Sequence, residues 1–168
     1  MDIKIRNEES KDTEQVRAIL TATFPTEAES KLVDALRTNS KAIVSLVAVR
    51  DDQVLGHILF SPVSTTPPGE AKGIGLAPVA VCPDNQSQGI GSQLIREGLR
   101  LCKELGYDYC VVLGSPEYYQ PFGFLKASNF GIKSEYGVDD EFMLIRFSTP
   151  ELAYGLVKYA PEFALFSV

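Results

Sequence analysis

Polar and apolar positions change period several times along the chain, and each change marks an element. "IKIR" (3–6) alternates and reads as a strand. In "NEESKDTEQVRAILTATF" polar capping candidates precede Val16, Ile19, Leu20 and Phe24, which share one helical face. Pro25 ends that helix, and "TEAESKLVDALRTN" gives a second with Leu32, Val33 and Leu36 inward. "AIVSLVAVRDDQVLGHILFSPV" holds two β-rich runs around Asp51 and Asp52, the pattern of an antiparallel hairpin.

"STTPPGEAKG" is a loop by composition. The next strand, "IGLAPVAVC" (74–82), contains Pro78, which donates no ladder hydrogen bond and so marks a bulge or a place where pairing stops. After a polar turn, Ile90, Leu94, Ile95, Leu99, Cys102 and Leu105 recur at helical spacing until Gly106, a helix of about 16 residues. "YCVVLG" (109–114) is wholly apolar, as expected of a strand covered on both faces. Strand, helix and strand make a βαβ unit with parallel strands and a right-handed crossover. Aromatics and glycines then lead to a last strand at 141–148, and the tail "TPELAYGLVKYAPEFALFSV" has no clear period. Neither a repeat nor a linker breaks residues 1–168, which read as one domain.

The 168 residues are 45% hydrophobic, enough for a core of their own. A net charge of -6 argues against a nucleic-acid partner, which demands excess positive charge. No apolar run approaches the roughly 20 residues that span a bilayer, so no membrane partner is expected. Cys82, Cys102 and Cys110 form no CxxC pair, and "MDIKIRNEES" lacks the layout of a signal peptide, so the reading is a cytoplasmic protein with free thiols. The lone His57 has no ligand-spaced partner, so no metal is expected.

Candidate chemistry lies in "CPDNQSQGIGSQLI" (82–95). A Walker turn would need GK followed by Ser or Thr, and a dinucleotide turn a third glycine where Leu94 stands. Both fail. What survives is a turn in which Gln88, Gly89, Ile90, Gly91 and Ser92 present backbone N–H groups at a helix N-terminus, where a diphosphate can approach closely. The alternative is a Gly-Ile-Gly turn that only starts a helix packed tightly on its sheet.

"VAVCPDNQSQGIGSQLI" resembles the Gln/Arg-x-x-Gly-x-Gly/Ala signature of the GNAT superfamily of acyl-CoA-dependent N-acyltransferases, with Gln86, Gly89 and Gly91 in the signature positions. "YYQPFGF" follows the next strand, where that family has a Tyr four residues before a Gly-Phe pair, here Tyr119, Gly123 and Phe124. The element order is similar over about residues 2–148, and "LGSPEYYQPFGF" with "GLVKYAPEF" looks most like a bacterial branch of small N-acetyltransferases. The resemblance implies an α/β (α+β) GNAT fold: a mixed central sheet of about six to seven strands, a splayed βαβ unit and helices on both faces. It implies an enzyme that moves an acetyl group from acetyl-CoA, its cosubstrate, to a primary amine of a small molecule or a protein, as a monomer or homodimer.

Carried over by residue, the resemblance puts the pyrophosphate on the turn 86–92 and the pantetheine arm beside Val79 and Val81, with Pro78 splaying the strand to admit it. A backbone N–H near Val79 would stabilise the oxyanion. Tyr119 is the implied general acid for the departing thiolate, with Tyr118 the alternative if the register differs. The strand 74–81 offers no carboxylate as base. Glu117, His57, Glu27, Glu29 and a water chain are the candidates, and Ser115 is a possible substrate contact. Without a proton relay, the rival is a domain that binds acyl-CoA and only senses it. The acceptor would be chosen by the first two helices, 62–73 and 128–140, while Tyr154, Tyr159 and Phe163 line the acceptor pocket, a dimer face or simply the core.

Overall fold

The computed structural model describes residues 2–148 and 155–166. In chain order the elements are β1 (Lys4–Asn7), α1 (Thr13–Thr23), α2 (Ala28–Thr38), β2 (Val44–Arg50), β3 (Gln53–Thr66), β4 (Gly73–Val81), α3 (Ile90–Glu104), β5 (Tyr109–Leu113), α4 (Pro116–Tyr119), β6 (Leu125–Lys126), β7 (Ile132–Ser134), β8 (Phe142–Arg146), β9 (Gly155–Lys158) and α5 (Glu162–Leu165). Two units alternate along the chain. The first draws on 2–61, 77–98 and 161–166, the second on 62–76, 99–148 and 155–160.

In the first unit β1, β2 and β3 form an antiparallel ladder. Asp51 and Asp52 both take left-handed backbone (φ 52° and 64°) between Arg50 and its partner Gln53. A two-residue turn with positive φ at both positions matches the twist of its strands, and aspartate is among the few side chains that tolerate it. The expected hairpin is therefore present, with an irregularity at Ala48/Val49.

Alternate residues of β3 face opposite layers. A Cβ on Gly56 would lie 3.1 Å from Leu94 Cδ1 and 3.2 Å from Ile90 Cγ2, and one on Gly98 only 2.2 Å from Phe60 Cε1, so α3 packs closely on this face. His57, one residue on, faces the other way. Its Nε2 is 2.9 Å from Ser45 Oγ, Ser45 donates to Glu8 Oε1 at 2.7 Å, and Arg37 of α2 donates to that oxygen at 3.1 Å. Helices thus lie on both faces of this part of the sheet. Val16, Ile19 and Leu20 of α1 and Leu32, Val33 and Leu36 of α2 are buried, as their spacing predicts. Burial of each is worth about 1.5–3 kcal/mol.

In the second unit β4 pairs in parallel with β5 from Gly73↔Tyr109 to Gly75↔Val111. β8 lies antiparallel to β5, and β6 to β8. β9 pairs antiparallel with the end of β3 (Ser64↔Lys158 to Thr66↔Leu156) and parallel with β7. The sheet is mixed and mostly antiparallel, with the parallel strands of the expected βαβ unit. The strands among the described residues number nine. The short β6, β7 and β9 account for the excess over the six to seven expected.

Two local expectations change, and one falls outside the described residues. The segment 64–73 is not all loop, because β9 offers partners that carry β3 on to Thr66. Leu105 falls on the apolar period of α3, but the helix ends at Glu104 and Leu105 is 53% exposed. Tyr154 lies outside the described residues. Cys102 and Cys110 are buried and free, as small core hydrophobes, and Cys82 is free and half-buried. Among the described residues no helix is long and apolar enough to cross a membrane.

Candidate functional site

The β4–β5 ladder stops at Gly75, three residues before Pro78, which has no N–H to continue one. On the opposite edge Cys82 N–H donates to the Leu55 carbonyl at 2.7 Å. Successive backbone groups of a strand point to alternate edges, so Ala80 also faces β3 while Val79 and Val81 turn their N–H and C=O groups away from it. The Val81 carbonyl accepts from Gln86 Nε2 at 3.2 Å and Thr23 Oγ1 at 3.4 Å, which occupies both of its lone pairs. Gln86 is therefore a strut between the turn and the strand, and Thr23 brings the end of α1 to the same atom.

From there a single 3₁₀ turn, Pro83–Asn85, leads into two left-handed residues, Ser87 (φ 63°) and Gly89 (φ 82°). A Cβ on Gly89 would meet nothing within 4 Å, so the backbone angle, not lack of space, calls for glycine there. The first α-helical bond runs from Gln93 N–H to the Gly89 carbonyl at 3.1 Å. The N–H groups of Ile90, Gly91 and Ser92 consequently have no partner further back in the helix. No acidic residue sits in the first turn of α3, so nothing on the helix offsets its positive end. Gln86, Ser87, Gln88 and Gly89 are exposed, Gly91 and Ser92 half-buried, and Ile90 is anchored in the core beside Gly56. Val79, Val81 and residues 86–92 thus stand together in the first unit.

Tyr119 belongs to the second unit, where α4 lays its ring on the α-carbon of Gly114 just past the end of β5. A Cβ on Gly114 would lie 2.4 Å from Tyr119 Cε2. Phe124 packs edge-on at 5.7 Å and Tyr118 at 4.9 Å. Burial pushes the Tyr119 phenol up to about 12, with Tyr118 and Cys110 adding to the effect. It stays protonated through the neutral range and is always available as a donor. Tyr118 is 45% exposed against 8% for Tyr119, which marks Tyr119 as the positioned phenol.

The base candidates separate by burial. His57 is wholly buried, and desolvation lowers its pKa to about 4, so it is a neutral core residue. Glu27 is exposed and pairs with Lys31 at 3.7 Å, and Glu117 is exposed on α4. Glu29 is half-buried, with a buried Oε1 that has no hydrogen-bond partner. Ser115 opens α4, its carbonyl accepting from Tyr118 and Tyr119 N–H at 3.1 Å. Phe163 is buried in the first unit. Tyr159 covers Gly75, where a Cβ would come 2.7 Å from its Cε1. Its only local sequence signal is the missing side chain at Gly75, 84 positions earlier. Among the described residues no cluster of His, Cys, Asp and Glu could hold a metal ion.

The Acetyltransferase (GNAT) domain family matches residues 4–127. The uncharacterized N-acetyltransferase YhbS of Escherichia coli strain K12 is 36% identical over 167 residues, 96% of this chain and 99% of its own. The crystal structure of Escherichia coli YhbS in complex with CoA superposes with a TM-score of 0.90 at 34% identity, covering 96% of this chain and 92% of that one. A Brucella melitensis GNAT family acetyltransferase in complex with acetyl-CoA matches with a TM-score of 0.81 at 36% identity, over 96% and 98% of the two chains. With a strand whose ladder stops short, a left-handed turn and an open helix N-terminus in the order that the signature requires, this chain belongs to the GNAT acetyltransferase family.

Proposed function

We propose that the protein transfers the acetyl group of acetyl-CoA to a primary amine by direct attack in a ternary complex, the whole chain acting as one acetyltransferase domain in the cytoplasm. The observation that carries the reading is the turn after β4. It has left-handed Ser87 and Gly89, and the N–H groups of Ile90, Gly91 and Ser92 have no partner further back in the helix, at an α3 N-terminus with no acidic residue. A diphosphate satisfies those donors and the helix dipole together. The relatives that hold CoA and acetyl-CoA support the choice of donor.

The pantetheine arm then runs along the β4 edge at Val79 and Val81, pairing as a strand would. Because the Val81 carbonyl is occupied by Gln86 and Thr23, the arm pairs there through the Val81 N–H. The Val79 N–H stabilises the oxyanion as the amine adds to the thioester carbonyl. Tyr119 gives its proton to the sulfur as the C–S bond breaks and takes one from the new amide nitrogen, so the proton lost by nitrogen ends on CoA.

Two measurements test this. Isothermal titration with acetyl-CoA, CoA and ADP should show clear preference for the CoA compounds. Mass detection over an amine panel should show a product heavier by one acetyl group. Binding without turnover on any amine would leave a sensing domain, and equal affinity for ADP would leave a general diphosphate site.

A further inference from the structure

The buried stripe of α2 begins with a charge. Leu32, Val33 and Leu36 form the inward face of this helix, and Glu29 stands three, four and seven positions before them, on the same face one turn nearer the N-terminus. It is half-buried, and its Oε1 is buried without a hydrogen-bond partner among the described residues. Glu27, two positions earlier, shows how a carboxylate that serves only the helix end is placed: it is exposed and pairs with Lys31 at 3.7 Å. The other cations of α1 and α2 are held elsewhere, Arg17 by Asp34 at 3.0 Å and Arg37 by Glu8 at 3.1 Å.

The chain sets Glu29 at the corner of α2 that adjoins the strand proposed to hold the donor. α1 ends at Thr23, whose hydroxyl donates to the Val81 carbonyl at 3.4 Å. Residues 24–27 then lead to α2, and the connection is drawn back on itself: Ala28 N–H donates to Thr26 Oγ1 at 3.2 Å, and Lys31 N–H to the Glu27 carbonyl at 3.0 Å. Helical side chains lean toward the N-terminus of their own helix, so Glu29 reaches back over this connection, and its register keeps it on the inward side. Glu29, Thr23 and Val81 all belong to the first unit.

A carboxylate oxygen withdrawn from water and given no donor destabilises the fold until something supplies the bond. A neutral donor would fill the lone pair and leave the charge, and an anion would be repelled. An ammonium answers both needs with a charge-assisted hydrogen bond. The part of the side chain that stays accessible leaves a way in from solvent. We infer that Glu29 selects the acceptor, taking it by a positively charged alkylammonium group at the end of the α1–α2 connection, an inference that rests on the acetyl-transfer reading above. The acceptors are then amines that arrive as cations, and acidic or uncharged molecules of the same size are refused.

The test uses the full chain saturated with CoA, which carries no acetyl group, so that an amine binds without reacting. Two probes of equal length, n-butylammonium chloride and n-butanol, are titrated against the backbone amide resonances of Thr23 and Glu29. The ammonium should shift both and the alcohol neither. Glu29→Gln keeps the shape and removes the charge, and should weaken butylammonium about ten- to a hundredfold, the worth of a hydrogen bond to a charged group. Glu27→Gln removes the same charge from the same helix end and should leave the butylammonium Kd as in the wild type, with CoA affinity unchanged in both variants. An unchanged butylammonium Kd in Glu29→Gln, an equal loss in Glu27→Gln, or equal shifts with butanol would overturn the assignment and leave acetyl transfer standing. Failure of the wild-type chain to bind CoA would instead remove the reading beneath it.

Discussion

Gly114→Ala should slow turnover without loosening acetyl-CoA. The backbone of Gly114 lies outside the left-handed region, so alanine meets no dihedral penalty and the whole effect is steric. Its methyl would stand 2.4 Å from Tyr119 Cε2 and 3.1 Å from Cδ2. Carbon atoms rest about 3.5–4.0 Å apart, so the ring has to retreat by about 1.1–1.6 Å. Phe124 and Tyr118 pack against that ring and resist the retreat. Overpacking of this size costs about 1–3 kcal/mol of stability. For a chain of 168 residues that lowers Tm by about 2–12 °C. A displacement of about 1 Å at a reacting group costs about a hundredfold in rate, so kcat should fall by that order while the Kd for acetyl-CoA holds. The check is kcat by thiol release, Kd by titration and Tm by circular dichroism on one preparation, with Tyr119→Phe and the double variant alongside. If the methyl acts by moving the hydroxyl, the double variant should be little slower than Tyr119→Phe alone. A Gly114→Ala protein with lowered Tm and wild-type kcat would refute the argument.

Gly91→Glu should abolish acetyl-CoA binding by titration while the circular-dichroism spectrum stays intact, since its carboxylate would occupy the anion position at the α3 N-terminus. Tyr119→Phe should lower kcat about 10²- to 10⁴-fold at unchanged Kd, and Tyr118→Phe far less; the reverse order would move the general acid by one residue. Asp12 is buried and receives a two-pronged bond from Arg6 at 2.7 and 3.0 Å, which holds its pKa below the ordinary 3.8. Because the folded-state value is the lower one, its contribution is complete above about pH 4 and fades as pH falls through the folded value. Asp12→Asn should therefore cost about 1–3 kcal/mol in urea unfolding at pH 7 and progressively less below pH 4.

Local periodicity made the helices legible: Val16, Ile19 and Leu20, Leu32, Val33 and Leu36, and Ile90 to Cys102 each mark a face that the structure buries. The Asp51–Asp52 turn was legible because its chemistry is local, and so was the glycine turn 88–92. Pairings that close over long separations were not. β9 has four residues and finds Ser64–Thr66 some ninety positions back, so neither segment carries a strand pattern long enough to read alone. The bond from Tyr159 N–H to the Glu135 side chain had no signal because it depends on β7 and β9 lying side by side. Glu29 and His57 looked alike as candidate bases, and only burial separates a neutral core imidazole from a carboxylate with one open end.

Four glycines each have an aromatic ring lying where a side chain would stand: Gly98 under Phe60, Gly73 under Tyr109, Gly114 under Tyr119 and Gly75 under Tyr159. In each pair the ring is the glycine's missing side chain, supplied from elsewhere in the chain. Such pairs should change together. A lineage that shrinks the ring opens a void that a larger residue at the glycine can fill, whereas one that enlarges the glycine first must tolerate a clash until the ring is lost. Drift through these positions is therefore ordered in time, ring before glycine, and Tyr119, the proposed acid, is held in place by the smallest residue the code offers.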